Sequence, residues 1–436
     1  MQCGGVRVTD IALPAGSDFV DAFVIDVNGI ARGKRLPAAD FRAAAANGIA
    51  FSSSCLVLDA RGEAQGPLGI GTLDGDPDAA GTPVPGQIWP VPWARAGVAQ
   101  SLLSMHRDGA PLWHDPRQIL ANVVAKLAAD GLFPVVACEL EFYLVEQGRD
   151  GRPRPPRLPA TGARPGQPGH LCLQRVEDHA DFLHEVHAAL ATQGIAAGTI
   201  VSEYGPGQFE VNLRHGPDPL RAADQAALMR RAVQGVAAAH GQRASFMSKP
   251  YADQPGSGLH VHVSLVARDG TNRFGAADGQ TLLEQAVAGM QALHAESMAI
   301  FAPSFSAWRR FKPGAFVSGA SDWAENSRAV AFRIPPGSPA ARRIEHRVAG
   351  AEASPHLVMA AILAGLHHGI TQGLRPGETV QDLPTDIFAA LRALEHGDRL
   401  APYLPPRFPA LFAALRRGET AALLAEPTPR EFEFYL

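Results

Sequence analysis

An α+β protein of two domains is what this sequence predicts, on three observations. The chain has 436 residues, 46% of them hydrophobic and 19% charged, which is more than a single core usually organises. Its first hundred or so residues fall into short strand-like runs divided by Gly, Asp and Pro. The rest alternates strands that carry polar residues at every second position with long Ala-rich helices. A formal net charge of -4 leaves no basic surplus for nucleic acid, and no apolar run reaches the roughly 20 residues that span a bilayer. The opening MQCGGVRVTDIALPAG lacks the charged-then-apolar pattern of a secretory leader, so a cytoplasmic protein is expected. Cys3, Cys55, Cys138 and Cys172 are far apart and form no C-x-x-C pair, which points to reduced thiols and to neither a zinc knuckle nor a disulfide framework.

Taken in order, FVDAFVIDVNGIARGKRLP reads as a hairpin closed at Asn28-Gly29, a dipeptide suited to the positive φ of tight turns. ADFRAAAANG reads as a short helix capped by Asp40 and ended by Gly48. Residues 59–87 are rich in Gly, Asp and Pro, and IWPVPW reads as one more edge strand. A boundary near residue 108 then divides the chain into domains 1–108 and 109–436. DPRQILANVVAKLAADG predicts a helix with Pro116 in its first turn and Gly131 beyond its end. Further helices are predicted over 177–194, 218–240, 280–300 and 352–370, and the proline-rich, basic stretch GRDGRPRPPRLPATGARPGQPGH is read as an exposed loop.

The chemistry starts at ACELEFYLVE. In a strand, Glu139 and Glu141 share a face while Leu140 and Phe142 point the other way. Two neighbouring carboxylates repel, and burying one unpaired is costly, so they require cations. VSEYGPGQFEVNLRHG places Glu203 and Glu210 on either side of a Gly-Pro-Gly turn. GSGLHVHVSL puts His260, His262 and Ser264 on one strand face, and ARRIEHRVAG alternates Arg343, Glu345 and Arg347. Singly these are weak signals, because a lone strand glutamate is usually a solvated edge residue and paired histidines are often satisfied core groups. Five carboxylates, histidine and arginines together fit divalent cations that bridge an anionic substrate.

Several ordered motifs carry a resemblance over nearly the full length: CELEFYL, EYGPGQFEVNL, FMSKPYADQPGSGLHVHVSL, RRFKPG, RAVAFRIPPGSPAARRIEHRVAGAEASPHLVMAAILAGL and the ending EFEFYL. On these the chain is identified as a member of the type I glutamine synthetase family. The resemblance implies a β-grasp N-terminal domain and a catalytic domain built on a curved antiparallel sheet with flanking helices. It also implies rings of subunits, usually a dodecamer of two stacked hexamers, with each active site between neighbours. Carried over by position, Glu141, Glu203 and Glu210 would bind one metal near the substrate. Glu139, His260 and Glu345 would bind a second metal that clamps the phosphates of ATP, both ions being Mg²⁺ or Mn²⁺. Arg310 and Arg347 would hold glutamate by its carboxylates, with Gly256 at its amino end. Arg328, Arg333 and Arg343 would bind phosphate, Arg328 acting with Arg310 in catalysis, while His262 and Ser264 lie beside the nucleotide. The implied reaction passes through γ-glutamyl phosphate, which an amine then attacks.

Departures from the family pattern narrow the acceptor. FSSSC carries Ser52 where ammonia-using members have an aspartate, and RRFKPGAFVSG carries Phe316 where they have a glutamate. Pro255 replaces an asparagine before GSG, and Gln381 replaces the tyrosine that some members adenylylate. The expected function is therefore a glutamate–amine ligase resembling γ-glutamylpolyamine synthetases, which DVNGIARGKRLP also resembles. Its partners would be glutamate, ATP and a small amine. An apolar monoamine is expected ahead of a polyamine, since neither Ser52 nor Phe316 supplies a carboxylate. Glutamine synthetase proper and a non-catalytic relative are the alternatives; the second should have lost metal ligands, and all six are present. A metal hydrolase using HVH would leave the five glutamates without a role.

Overall fold

The computed structural model describes residues 11–64, 69–71, 73–148, 151–166, 169–312, 315–377 and 383–436. Gln381 lies outside them. The first sheet is built from β1 (Phe19–Ile25), β2 (Ala31–Pro37), β3 (Ile49–Ser52), β4 (Asp78–Pro90), β5 (Val98–Arg107) and β6 (Ala110–Pro111), in the order β2-β1-β5-β4-β3 with β6 on β5. The β1–β2 hairpin forms as expected. Gly29 takes a φ of +71°, and the buried Asp26 carboxylate accepts from the backbone N–H groups of Asn28 and Ile30 and from Arg32. β1 runs parallel to β5, and helix α1 (Ala38–Ala45) packs on the sheet, an arrangement consistent with a β-grasp.

One local expectation is corrected. Helix α1 begins directly after β2 with Pro37 at its cap position, so Asp40 lies inside the first turn and caps nothing. The Gly- and Pro-rich residues 78–87 form most of β4, whose register against β5 shifts between Pro83 and Ile88. That irregularity takes up Pro85 and Gly86, which a regular ladder would reject. Ile88–Pro90 pairs with β5 alone, because β3 covers only Asp78–Gly81, so this end of the strand is an edge.

Helix α2 (Pro116–Ala129) starts where Asp115 accepts from the Arg117 N–H, with Pro116 in the first turn. The second sheet contains β7 (Phe133–Gln147), β8 (Pro153–Arg154), β9 (Ala197–Ser202), β10 (Gln208–Leu213), β11 (Arg243–Ser245), β12 (Leu259–Val266), β13 (Trp323–Glu325), β14 (Phe332–Ile334) and β15 (Ile344–His346). Its order is β13-β14-β15-β12-β7-β10-β9, with β8 and β11 also on β7. All pairs are antiparallel except β13–β14. Cys138, Leu140 and Phe142 of β7 are buried in the core, as the alternation requires. The helix predicted over 177–194 forms as α4 (Ala180–Thr192), and a short α3 (Leu173–Glu177) precedes it.

Behind the sheet lie α5 (Pro219–Ala239), α6 (Gly279–Phe301) and α7 (Pro355–Thr371), followed by α8 (Ile387–His396), α9 (Phe408–Leu424) and α10 (Pro429–Tyr435). Helices α6 and α7 approach so closely that a Cβ on Gly289 would sit 2.0 Å from the Gly365 carbonyl oxygen. No helix among the described residues is long and apolar enough to cross a membrane.

Candidate active site

Strand register assembles the site. Glu141 on β7 lies opposite Glu210 on β10, Glu139 lies opposite His260 on β12, and His262 lies opposite Glu345 on β15. One row of side chains on the curved face therefore collects carboxylates and imidazoles from four strands. His260 Nδ1 is 3.6 Å from Glu139 Oε2 and its Nε2 is 3.8 Å from Glu141 Oε1. His262 Nε2 is 2.9 Å from Glu139 Oε1, though off the axis of a hydrogen bond. Glu203 stands at the end of β9, with His170 Nδ1 3.4 Å from its Oε2.

Electrostatics separates these acids. Burial works against ionisation of Glu139, but His260 and His262 outweigh it and hold the carboxyl well below the usual range. Burial also opposes ionisation of Glu345, and there His260, His262, Arg347 and Arg333 prevail. Glu210 is driven the other way, first by burial and then by the charges of Glu141, Glu139 and Glu203. Burial and then Glu141 push Glu203 up to about 7. So dense a group of acids is stable as carboxylates only with added positive charge.

Two sets of ligand atoms lie within 4.8 Å of one another: Glu139, His262 and Glu345, and Glu139, Glu210 and His260. Both sets use Glu139, and Glu141 and Glu203 stand outside them. In the first of these sets His262 stands beside Glu139 and Glu345, the two residues that the resemblance groups with His260. Hard oxygen donors with imidazole suit a divalent cation, and the unbalanced charge on Glu203 and Glu210 favours one, so the residues fit the metals expected.

The cationic wall is equally ordered. Arg310 is 5% exposed, and burial lowers its guanidinium to about 10. It donates to the Val348 carbonyl at 3.0 Å and lies against Gly256, where a Cβ would come within 2.7 Å of Arg310 Cγ. Glycine at 256 is therefore a requirement of close packing. Arg333 and Arg347 both grip Glu345, the first at 2.7 Å, and Arg343 Nε donates to His262 Nδ1 at 3.1 Å. Arg328 faces Glu203 electrostatically. Ser264 continues the histidine row, opposite Val135. Arg333 Nε, Arg347 Nε, Ser248 Oγ and Ser257 Oγ are buried without hydrogen-bond partners, donors suited to an anionic ligand.

Three residues escaped the sequence reading. Gln208 bridges Glu141 (3.3 Å) and the Gly256 carbonyl (3.0 Å), tying the carboxylates to the Gly-Ser-Gly loop. Tyr204 and His170 stack with ring centroids 4.2 Å apart and 5° between planes, and Phe316 stacks on Tyr204 at 5.7 Å and 23°. Adjacency to Glu203 could have flagged Tyr204, whereas His170 sits in the proline-rich loop without a signal. Phe316 is thus brought to the site. Ser52 is not: it pairs with Asp78 in the first sheet, and among the described residues no hydrogen bond, ion pair or ring contact joins it to this site.

An α+β chain with this strand-borne cluster of carboxylates, histidines and arginines belongs to the glutamine synthetase family; residues 113–435 match the family described as glutamine synthetase, catalytic domain. The chain is 38% identical over 434 residues to gamma-glutamylputrescine synthetase PuuA of Escherichia coli (strain K12), covering 96% of this chain and 92% of that protein. It is 30% identical over 386 residues to glutamate–isopropylamine ligase of a Pseudomonas species, covering 86% and 83%. Among solved structures, apo GmaS without ligand superposes with a TM-score of 0.83 at 27% identity, over 96% of this chain and 97% of the other.

Proposed function

We propose that this enzyme is an ATP-dependent ligase that joins the γ-carboxylate of glutamate to an amine other than ammonium. One observation carries the reading: beside an intact cluster of metal-type ligands stands the exposed ring of Phe316, at a position that, by the resemblance to the family, carries an acid in ammonia-using members. The similarity to two amine ligases supports it. Glu139, Glu141, Glu203, Glu210, His260 and Glu345 would hold two Mg²⁺ or Mn²⁺ ions, which when bound neutralise the phosphates of ATP and the developing charge of phosphoryl transfer.

The chain's own residues account for the remaining steps. Arg310 and Arg347, with the backbone at Gly256, orient glutamate by its charged ends. Arg328, Arg333 and Arg343 balance the phosphate while the glutamate γ-oxygen displaces ADP, with His262 and Ser264 beside the nucleotide. The amine nitrogen then forms its bond to the γ-carbon as the bond from that carbon to the phosphate oxygen breaks, and the surplus proton leaves with phosphate. Since Ser52 lies away from this site within the chain, its acceptor role needs a neighbouring subunit, in keeping with a dodecamer of two hexameric rings. ATP as phosphoryl donor is consistent with a cytoplasmic location. Mass spectrometry of reactions with glutamate, ATP and isopropylamine tests the proposal. A γ-glutamylamide formed one-for-one with ADP is expected, and exclusive formation of glutamine when ammonium is present would refute it.

A further inference from the structure

We infer that the His170–Tyr204–Phe316 ring column is the surface that selects the acceptor, and that it selects primary amines with an apolar carbon body. This deepens the ligase reading and rests on it. A single exposed phenylalanine needs no explanation, but Phe316, although 59% exposed, is one of three stacked rings drawn from three separate loops. The column ends at the carboxylates, where His170 Nδ1 lies 3.4 Å from Glu203.

Its middle ring is fixed by the backbone. Tyr204 directly follows Glu203, so the turn that aims the carboxylate also aims the ring. That turn is closed by the Glu203 N–H donating to the Gln208 carbonyl (2.9 Å) and the Gly205 N–H donating to Gln208 Oε1 (3.0 Å). A Cβ at Gly205 would lie 2.1 Å from the Tyr143 hydroxyl, so the turn has little room to rearrange. Tyr204 and His170 are accordingly positioning residues that hold Phe316 at the rim.

Aromatic faces do two things for an alkylamine. They attract its ammonium through the ring quadrupole, and they remove water from its hydrocarbon. Neither Tyr204 nor Phe316 supplies an acid, so a second ammonium at the far end of a diamine gains no salt bridge from the column. n-Butylamine and putrescine share the same four-carbon body and differ in that distal charge, which makes them the discriminating pair.

The test is steady-state phosphate release with saturating glutamate and ATP, using ammonium, n-butylamine and putrescine. The proteins are the wild type, Phe316→Ala, Phe316→Glu, Tyr204→Ala and Tyr204→Phe. Phe316→Ala and Tyr204→Ala should lower kcat/KM for n-butylamine at least tenfold, mainly through KM. Ammonium should change less than threefold, and KM for glutamate and ATP less than twofold. Tyr204→Phe should keep the wild-type ranking, and Phe316→Glu should move preference toward putrescine and ammonium. A uniform loss for all acceptors, no change in ranking, or a tenfold wild-type preference for putrescine over n-butylamine overturns the inference. A wild type that turns over ammonium and neither amine overturns the ligase reading itself, so the two failures are distinct. Because Phe316 is largely exposed, its replacements should fold, and unchanged melting temperatures would verify this.

Discussion

Glu203→Gln removes a charge that the metal-free site resists. Burial, reinforced by Glu141, raises this carboxyl from its ordinary 4.5 to about 7. Between those two values the folded chain keeps a proton that the unfolded chain has released. The stability this group contributes is therefore fully present below about pH 4.5 and is lost as pH rises to 7. At about 1.36 kcal/mol per tenfold, the loss amounts to roughly 3 kcal/mol above pH 7. The side chain is only 16% exposed, so solvent screens little of it. With an unfolding entropy of roughly 2.1 cal/mol/K per residue, a chain of this size gains about 3 to 4 °C in Tm when the charge is removed. Scanning calorimetry in excess EDTA should find Glu203→Gln melting about 3 °C above wild type at pH 8 and within about 1 °C of it at pH 5. Adding Mg²⁺ or Mn²⁺ should stabilise wild type more than the variant. Equal margins at both pH values, or no gain at pH 8, would refute the argument that crowded, buried carboxylates await a cation.

Other consequences can be checked separately. Glu345→Ala strips the carboxylate from Arg333 and Arg347, so it should cost about 3–5 kcal/mol of stability and raise KM for metal-bound ATP at least tenfold. Glu345→Gln should spare more of the stability, and near-normal turnover by either variant at limiting Mg²⁺ would contradict the assignment. Glu141→Ala should weaken glutamate as well as metal binding, read as a rise in both apparent constants, and an unchanged KM for glutamate would count against it. Gly289→Ala pushes a methyl group into the α7 backbone and should lower Tm by at least 5 °C; a Tm within 1 °C of wild type would show that the helices separate freely. Activity should reside in a ring-sized assembly, and light scattering that finds an active species near the chain mass of 46.1 kDa would remove the shared-site reading.

Period-two alternation made much of the site legible, because Glu139 with Glu141 and His260 with His262 are each decided within one strand. Which side chains meet across strands was not legible, since it depends on register: His262 lies opposite Glu345 only because β12 and β15 pair as they do. Composition gave no strand signal at residues 78–87, where a register shift lets a Pro- and Gly-rich stretch run as a strand. It misled at Asp40, because Pro37 starts the helix earlier than a polar cap would. The ring column lay beyond sequence patterning, as His170, Tyr204 and Phe316 come from three loops with no common period. Ser52 marks the opposite case: its motif position implied a place at the acceptor, and the fold of one chain leaves it in the other sheet.

The central claim is that an amine other than ammonium attacks the activated glutamate. Its most direct test compares ammonium with methylamine, isopropylamine, n-butylamine and putrescine as acceptors, with ADP and the γ-glutamyl product quantified together. The account predicts that at least one of these amines exceeds ammonium in kcat/KM by tenfold or more. Ammonium surpassing all four would contradict it.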